Sequence, residues 1–391
     1  MKFKFKRIDG VMLALVVLMT GLGLVALLSA SYAAGERAYG DPYHYVLKQL
    51  PRAGVGLALL LAMSQIKIDV WRRSAYALMA ISVTLLMMVL SEQFQVKHNG
   101  APRWLKIFGI EFQPSEVAKV AVAVFMARFL TDHHGRIKEF GFGFLAPLLL
   151  IVLVAGLICL EKDLGGPIVV ALTVLGVLLV GGARLTHFAL LTAIMSVAGY
   201  VLIESFKHRL DRWKAWIDPW LDHQNTGYSI VHSFFAFANG GILGAGPGQS
   251  QLKQGFLPEA HTDYIFSILG EEAGLAGVVI VGGLFLALLH RALRIAMASR
   301  NLAGVYLCLG AALAVVVPAF LNMYVALSII PAKGLTLPFF SYGGTSLIVN
   351  FIALGLMFSA AADAGERDGE ALRAGPERRP ATGPRQGATP E

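Results

Sequence analysis

Ten apolar runs of 17 to 28 residues punctuate the chain, at 11–33, 44–66, 74–91, 114–131, 143–160, 167–183, 187–205, 263–290, 302–328 and 342–362. As helices these are of the length that crosses a hydrocarbon layer about 30 Å thick. Backbone that meets no water must satisfy its own amides and carbonyls, so such runs fold as helices or as strands of a closed barrel. No period-2 alternation of a barrel wall appears. The sequence therefore predicts an all-α polytopic membrane protein of about ten transmembrane helices, with one large loop, 206–262, between spans 7 and 8.

Only 15% of the 391 residues are charged, against about 25% in a typical soluble domain. Most of those charges fall between the runs, and the connecting segments alternate in charge. Lys2, Lys4, Lys6 and Arg7, then Lys67, Arg72 and Arg73, Arg136 and Lys138, Arg184, and Arg291, Arg294 and Arg300 mark one side. By the positive-inside tendency that side is cytoplasmic and holds both termini. The net charge of +8 follows this topology and forms no single basic face, so nucleic acid is not an expected partner. Cys159 and Cys308 lie inside apolar runs as small core residues, not as a disulfide or metal pair. The basic start and first run resemble a signal peptide, but about 22 apolar residues exceed a usual h-region of about 7–15, which favours an uncleaved first helix. Lys48, Pro51 and Arg52 make span 2 the weakest. The chain divides into a transmembrane domain, 1–363, and a Pro-, Gly-, Arg- and Glu-rich tail, 364–391, expected to be disordered.

The opposite face carries 34–43, 92–113, 161–166, 206–262 and 329–341. In the large loop, Trp213, Trp216 and Trp220 recur at spacings of three and four with Arg209, Arg212 and Lys214 between them, which predicts an amphipathic helix at the lipid headgroups. No HExxH, GxSxG or GxxxxGK[ST] signature occurs. "GGILGAGPGQS" (240–250) lacks the Walker lysine and a preceding strand, and reads as a tight turn returning the chain toward the bilayer.

Three polar constellations remain on that face. In "LPEAHTDYIFSILGEEAGL" (257–275), Glu259, His261 and Asp263 precede an apolar helix, with Thr262 as its expected cap and Asp263 at its positive dipole end. Ionisable residues at membrane depth are costly and therefore functional candidates. Glu271 and Glu272 lie about 12–13 Å deeper and suit pairing with a buried base. In "HNGAPRWLKIFGIEFQPSEVAK" (98–119), Arg103 and Lys106 precede Pro114, and Glu116 and Lys119 fall in the first two turns of span 4. Glu116 and Lys119 fit a local ion pair; arginine and lysine together also suit a pyrophosphate. In "IIPAKGLTLPFFSYGGTSL" (329–347), prolines and glycines interrupt the approach to span 10 around Lys333 and Ser341; such backbone is tolerated only when buried in protein or lining a polar cavity. The residues alone describe an outward-facing polar cavity suited to an anionic amphiphile arriving from the membrane.

These stretches also resemble the SEDS family (shape, elongation, division and sporulation; RodA, FtsW and SpoVE), in its FtsW branch. "LPEAHTDYIFSILGEEAGL", "PAKGLTLPFFSYGGTSL" and "APRWLKIFGIEFQPSEVAK" are similar to its signatures, and the likeness covers about residues 8–363. "PEAHTD" and "KGLTLP" favour the division branch over the elongation branch. One departure stands out: the family's usual "QPDLGT" is here "EKDLGG" (161–166), which keeps Asp163 but loses the proline.

The resemblance implies a peptidoglycan glycosyltransferase that polymerises lipid II, an undecaprenyl-pyrophosphate-linked disaccharide-pentapeptide, at the periplasmic face during septal wall synthesis. It places the essential acid at Asp263 as general base, or as ligand of a divalent cation such as Mg2+ or Mn2+, and requires no organic cofactor. Substrate contacts would fall on Arg103, Glu116, Lys119, Glu259, His261, Lys333 and Ser341. A class B penicillin-binding protein, the FtsI-like transpeptidase, and other divisome proteins are the implied partners, alongside membrane lipid. Two rival classes are a lipid II flippase, which should line a path through the midplane, and a scaffold that only recruits the transpeptidase.

Overall fold

The computed structural model describes residues 8–98, 101–107, 109–163, 165–193, 207–299 and 301–374. Helices α1 (Gly10–Tyr39), α2 (His44–Ser64) and α3 (Ile68–Val89) come first. Strands β1 (Gln95–His98), β2 (Ala101–Ile107) and β3 (Ile110–Phe112) then form an antiparallel sheet in sequence order. Next come α4 (Pro114–Asp132), α5 (Ala146–Leu160, entered through a π-turn at Phe140–Leu145), α6 (Gly165–Val180) and a helix α7 over 185–193. The large loop contains α8 (Lys207–Ile217) and α9 (Tyr228–Gly240), and α10 (Ile265–Ala298), α11 (Leu302–Ala326) and α12 (Gly344–Ala374) complete the fold.

The ten expected spans correspond to α1–α7 and α10–α12, although 194–205 of span 7 lie outside the described residues. Among the described residues seven helices are long and apolar enough to cross a membrane. Helix α6 has only 16 residues, and α4 carries Glu116, Lys119 and Arg128 along its length. Helix α11 is buried nearly all round, whereas α1 buries one stripe, Met12, Val16, Met19, Leu27 and Ala30, and turns its other side outward. Thus α11 is central and α1 peripheral.

Two bridges fix α1 against α10. Asp9, the N-cap of α1, accepts from Arg291 Nε at 3.1 Å, and Ser29 donates to Glu272 at 2.6 Å. Asp9 and Ser29 are about 30 Å apart along a helix, so α1 and α10 run antiparallel across roughly the thickness of a bilayer. Asp9–Arg291 and Arg72–Asp132 lie at one end of the bundle, and Glu272 marks the other.

Helix α10 is broken. Gly274 has φ 63° and ψ −162°, which frees carbonyls before it and amides after it. The glycine-rich return, 240–246, takes them up. Ala245 and Gly246 N–H donate to the carbonyls of Glu271 and Glu272 at 2.9 and 3.1 Å, while Leu275 and Ala276 N–H donate to Gly241 and Ile242 at 2.9 and 3.2 Å. A Cβ on Gly274 would lie 2.4 Å from the Gly244 nitrogen, so neither break nor turn tolerates a larger residue. The turn expected from "GGILGAGPGQS" is thus present, with the repair of a helix as its work.

Several local expectations change. The segment 92–113 holds a small sheet in an otherwise helical fold. Helix α2 continues through Pro51, and α12 runs to Ala374, past the boundary expected at 363; residues 375–391 lie outside the described residues. Thr262 does not cap α10, whose N-cap residue is Tyr264 without a side-chain bond; the Thr262 hydroxyl instead turns back to Glu259. On α8, Trp213 and Trp216 are half-buried, and Trp216 Nε1 donates to the Ser328 carbonyl at 2.9 Å, so these rings pack partly on the protein; Trp220 lies beyond the helix and is exposed. The side chains of Arg209 and Arg212 lie outside the described residues.

Candidate active site

Residues 258–264 form a tight turn ahead of α10. Glu259 sits at φ 52°, and its carbonyl accepts the amides of Thr262, Asp263 and Tyr264 at 3.1, 3.1 and 3.2 Å. Its exposed carboxylate accepts from the Thr262 hydroxyl at 2.8 Å. Glu259 therefore shapes the turn that presents Asp263.

The re-entrant segment 327–343 clasps this turn from the other side. Ser341 Oγ donates to the Thr262 carbonyl at 2.5 Å, and Tyr342 N–H donates to the His261 carbonyl at 2.9 Å. Asn322, buried in α11, donates through Nδ2 to the carbonyls of Asp263 at 2.8 Å and Leu335 at 2.5 Å. The carbonyls of His261, Thr262 and Asp263 are thus held, and the half-buried Asp263 side chain projects beside Gly334, where a Cβ would be 3.6 Å from Oδ2. The segment dips deep: Gly23, midway along α1, abuts the Phe339 carbonyl.

His261 faces aromatic neighbours. Its ring lies 4.4 Å from that of Tyr45 and 6.2 Å from that of Tyr342. Burial holds the imidazole below the usual histidine range against the opposing pull of Glu259, so it is neutral at neutral pH.

A cationic group adjoins the same segment. Gly165, at the start of α6, packs on the Leu335 side chain and the Lys333 carbonyl. Asp163, two residues before it, accepts the amides of Gly165 and Gly166 at 2.9 and 3.2 Å. Arg103, on β2, donates to the Lys162 carbonyl, which Lys162 presents from φ 61°. Lys119 forms a buried pair with Glu116 at 2.7 Å, the local ion pair the spacing suggested. Burial raises the Asp163 carboxyl, while Arg103, the two glycine amides and Lys119 pull it back down. Beside it Glu161 is fully buried with neither carboxyl oxygen hydrogen-bonded; burial and the Asp163 charge push it up to about 8 against the pull of Arg103.

The structure therefore gathers Asp263, Glu259, His261, Ser341 and the Lys333–Leu335 backbone at one clasp, with Arg103, Lys119 and Glu116 grouped around Asp163 next to it. Lys106 lies apart from the group, paired to Glu111 on β3 at 3.6 Å. Sequence reasoning missed Asn322 and Glu161. The first is a lone amide inside an apolar run and the second an acid at a helix end, both signals of costly burial. A cavity of about 280 Å³ between Asp69, Arg72, Arg73 and Arg128 holds none of these residues; it lies at the Arg72–Asp132 end.

Glu271 and Glu272 are of another kind. Glu272 pairs with Lys253 at 2.7 Å and accepts from Ser29; Glu271 accepts from Ser250 Oγ, from Asn239 at 3.3 Å, and from the amides of Gln251 and Leu252 at 3.2 and 3.4 Å. The pairing with a buried base expected for one of them falls on Glu272. Among the described residues no three His, Cys, Asp or Glu side chains converge in a metal-holding group.

The fold and the clasp together define a polytopic membrane protein with a fixed carboxylate at one mouth of its bundle. Residues 10–365 match the family model described as "Cell cycle protein", shared by FtsW, RodA and SpoVE, and the chain belongs to that family. It is 36% identical to a protein of Trichlorobacter lovleyi over 92% of this chain and 94% of the relative, and 36% identical to one of Coxiella burnetii over 87% and 92%. Both bear the name "Probable peptidoglycan glycosyltransferase FtsW". Among solved structures it is similar to a chain of a peptidoglycan synthase complex described as coordinating polymerization and crosslinking, with a TM-score of 0.76, 30% identity, and 91% and 98% of the two chains covered. It is also similar to the rod shape determining protein RodA of Thermus thermophilus, with a TM-score of 0.66, 28% identity, and 91% and 97% covered.

Proposed function

We propose that this chain is a peptidoglycan glycosyltransferase that polymerises lipid II in septal wall synthesis, with Asp263 as its general base. The observation that carries the reading is the clasp. The carbonyls of His261, Thr262 and Asp263 are held by Tyr342, Ser341 and Asn322, and the Asp263 amide by the Glu259 carbonyl, so the carboxylate is pre-positioned, as proton transfer to a fixed acceptor requires.

Asp263 takes the proton of the acceptor sugar's 4-hydroxyl as that oxygen attacks the anomeric carbon of the donor. The carbon–oxygen bond to the pyrophosphate breaks with its electron pair on the leaving group, and attack from the opposite face inverts the linkage. A glycosidase needs a second carboxyl to protonate a poor leaving group. Pyrophosphate departs as a stable anion, so cations replace that acid; Arg103, Lys119 and Lys333 are assigned this electrostatic role. A divalent cation bound through one carboxylate, water and substrate phosphates would use Asp263 as its protein ligand and neutralise the leaving group.

The Lys- and Arg-rich end is cytoplasmic and the clasp periplasmic in this reading. The likeness to a chain from a complex that couples polymerization to crosslinking supports a class B penicillin-binding protein as partner. The test is polymerisation of labelled lipid II by the purified protein with that partner. Glycan strands from the wild type and none from Asp263→Ala are expected. Transbilayer movement of lipid II without polymer would replace the enzyme with a flippase.

A further inference from the structure

The elbow between α1 and α2 carries aromatic rings that this chemistry leaves unused. Tyr39, the last residue of α1, is 56% exposed and stacks face to face on His44 at 3.6 Å. Tyr45 stands edge-on to both, at 5.9 and 5.5 Å, and reaches inward to His261 at 4.4 Å and Tyr342 at 4.9 Å. The row thus runs unbroken from an exposed ring on the elbow to a residue two positions from Asp263. Each end has a cation: the Lys48 ammonium lies 5.8 Å from the Tyr39 ring, and the Arg52 guanidinium 5.3 Å from the Tyr342 ring.

Aromatic anchoring in the headgroup region explains an exposed tyrosine such as Tyr43. It does not explain a row in which Tyr45 links the exposed Tyr39 ring to His261 and Tyr342 at the clasp. Flat aromatic faces with hydroxyl tips suit a ligand that is apolar on its ring faces and polar at its edges, which describes a pyranose. The flanking cations suit carboxylates hung from such a strand. An isoprenoid chain would have no use for either.

We propose that the Tyr39–His44–Tyr45 row is a glycan subsite that seats the β-linked amino-sugar strand leading to Asp263. The proposal rests on the glycosyltransferase reading for its ligand, but binding can be measured without turnover. The probe is a hexamer of β-1,4-linked N-acetylglucosamine, titrated against full-length protein in detergent micelles by saturation-transfer NMR. An α-linked glucose hexamer is the control. Wild type and Asp263→Asn should both bind the probe in preference to the control. Tyr39→Ala should weaken it roughly tenfold, Tyr39→Phe should largely retain it, and strands made from lipid II by Tyr39→Ala should be severalfold shorter. Equal binding by wild type and Tyr39→Ala, or no preference for the probe in wild type, would overturn the subsite. Probe binding by a wild-type protein that makes no polymer with its transpeptidase partner would instead overturn the reaction and leave the subsite standing.

Discussion

Two acidic groups eight residues apart in one stretch, the lip at Glu259–Asp263 and the pair Glu271–Glu272, are held in different ways. At the pair the side chains are committed. Lys253, Ser29, Ser250, Asn239 and backbone amides take up the carboxylate oxygens, tying the glycine-rich return to the broken turn of α10. At the lip the carbonyls of Glu259, His261, Thr262 and Asp263 all accept hydrogen bonds, the Glu259 carboxylate accepts from Thr262 within the turn, and the Asp263 side chain is what that scaffold presents. Side-chain bonds tie the pair into the fold, whereas at the lip backbone bonds fix where Asp263 stands.

The largest effect should come from breaking the pair. Lys253→Met leaves Glu272 buried without its countercharge, which costs about 3–5 kcal/mol. A marked drop in thermal midpoint in detergent is expected, with the activity of the surviving folded fraction near normal. An unchanged midpoint would deny the pair its structural role. At the lip, Asn322→Ala removes the donor to two buried carbonyls, a loss of about 1–3 kcal/mol. Here activity should fall further than the folded fraction, because the Asp263 backbone is released; equal losses would make Asn322 a packing residue only.

The smallest effect is a pH dependence at Glu161. Its folded value, about 8, lies above the ordinary 4.5, so the folded state keeps a proton that the unfolded chain gives up. Stability from this group is full below 4.5 and is lost as pH rises toward 8, and only the part of that fall between pH 6 and 7 is read here. Glu161→Gln should flatten the fall in thermal midpoint between pH 6 and 7. An identical slope in both proteins would show that Glu161 is ionised in the fold.

Hydropathy made the ten spans legible, because a bilayer imposes length and apolarity on each helix independently of its neighbours. The sheet at 95–112 was not legible: its strands are only four, seven and three residues long, and the β1–β2 register shifts between Val96 and Lys97, so no sustained alternation marks it. The Gly274 break was hidden inside an apolar run, since its repair depends on a loop some thirty residues earlier. The residues of the clasp were legible as misplaced charge, and the family resemblance singled out Asp263. Ser341 was legible as a candidate but not as the partner of the Thr262 carbonyl, and Asn322 and Tyr342 were not legible at all, because all three reach the lip only through the fold.

The comparison is tested most directly by measuring lipid II polymerisation and thermal midpoint together for Asp263→Asn and Glu272→Gln, each assembled with the transpeptidase. Asp263→Asn should lose about 10²–10⁴-fold in rate at an unchanged midpoint, and Glu272→Gln should lower the midpoint while its folded fraction still polymerises. Polymer from Asp263→Asn at the wild-type rate, or silence from a fully folded Glu272→Gln, would contradict the division of labour between lip and pair.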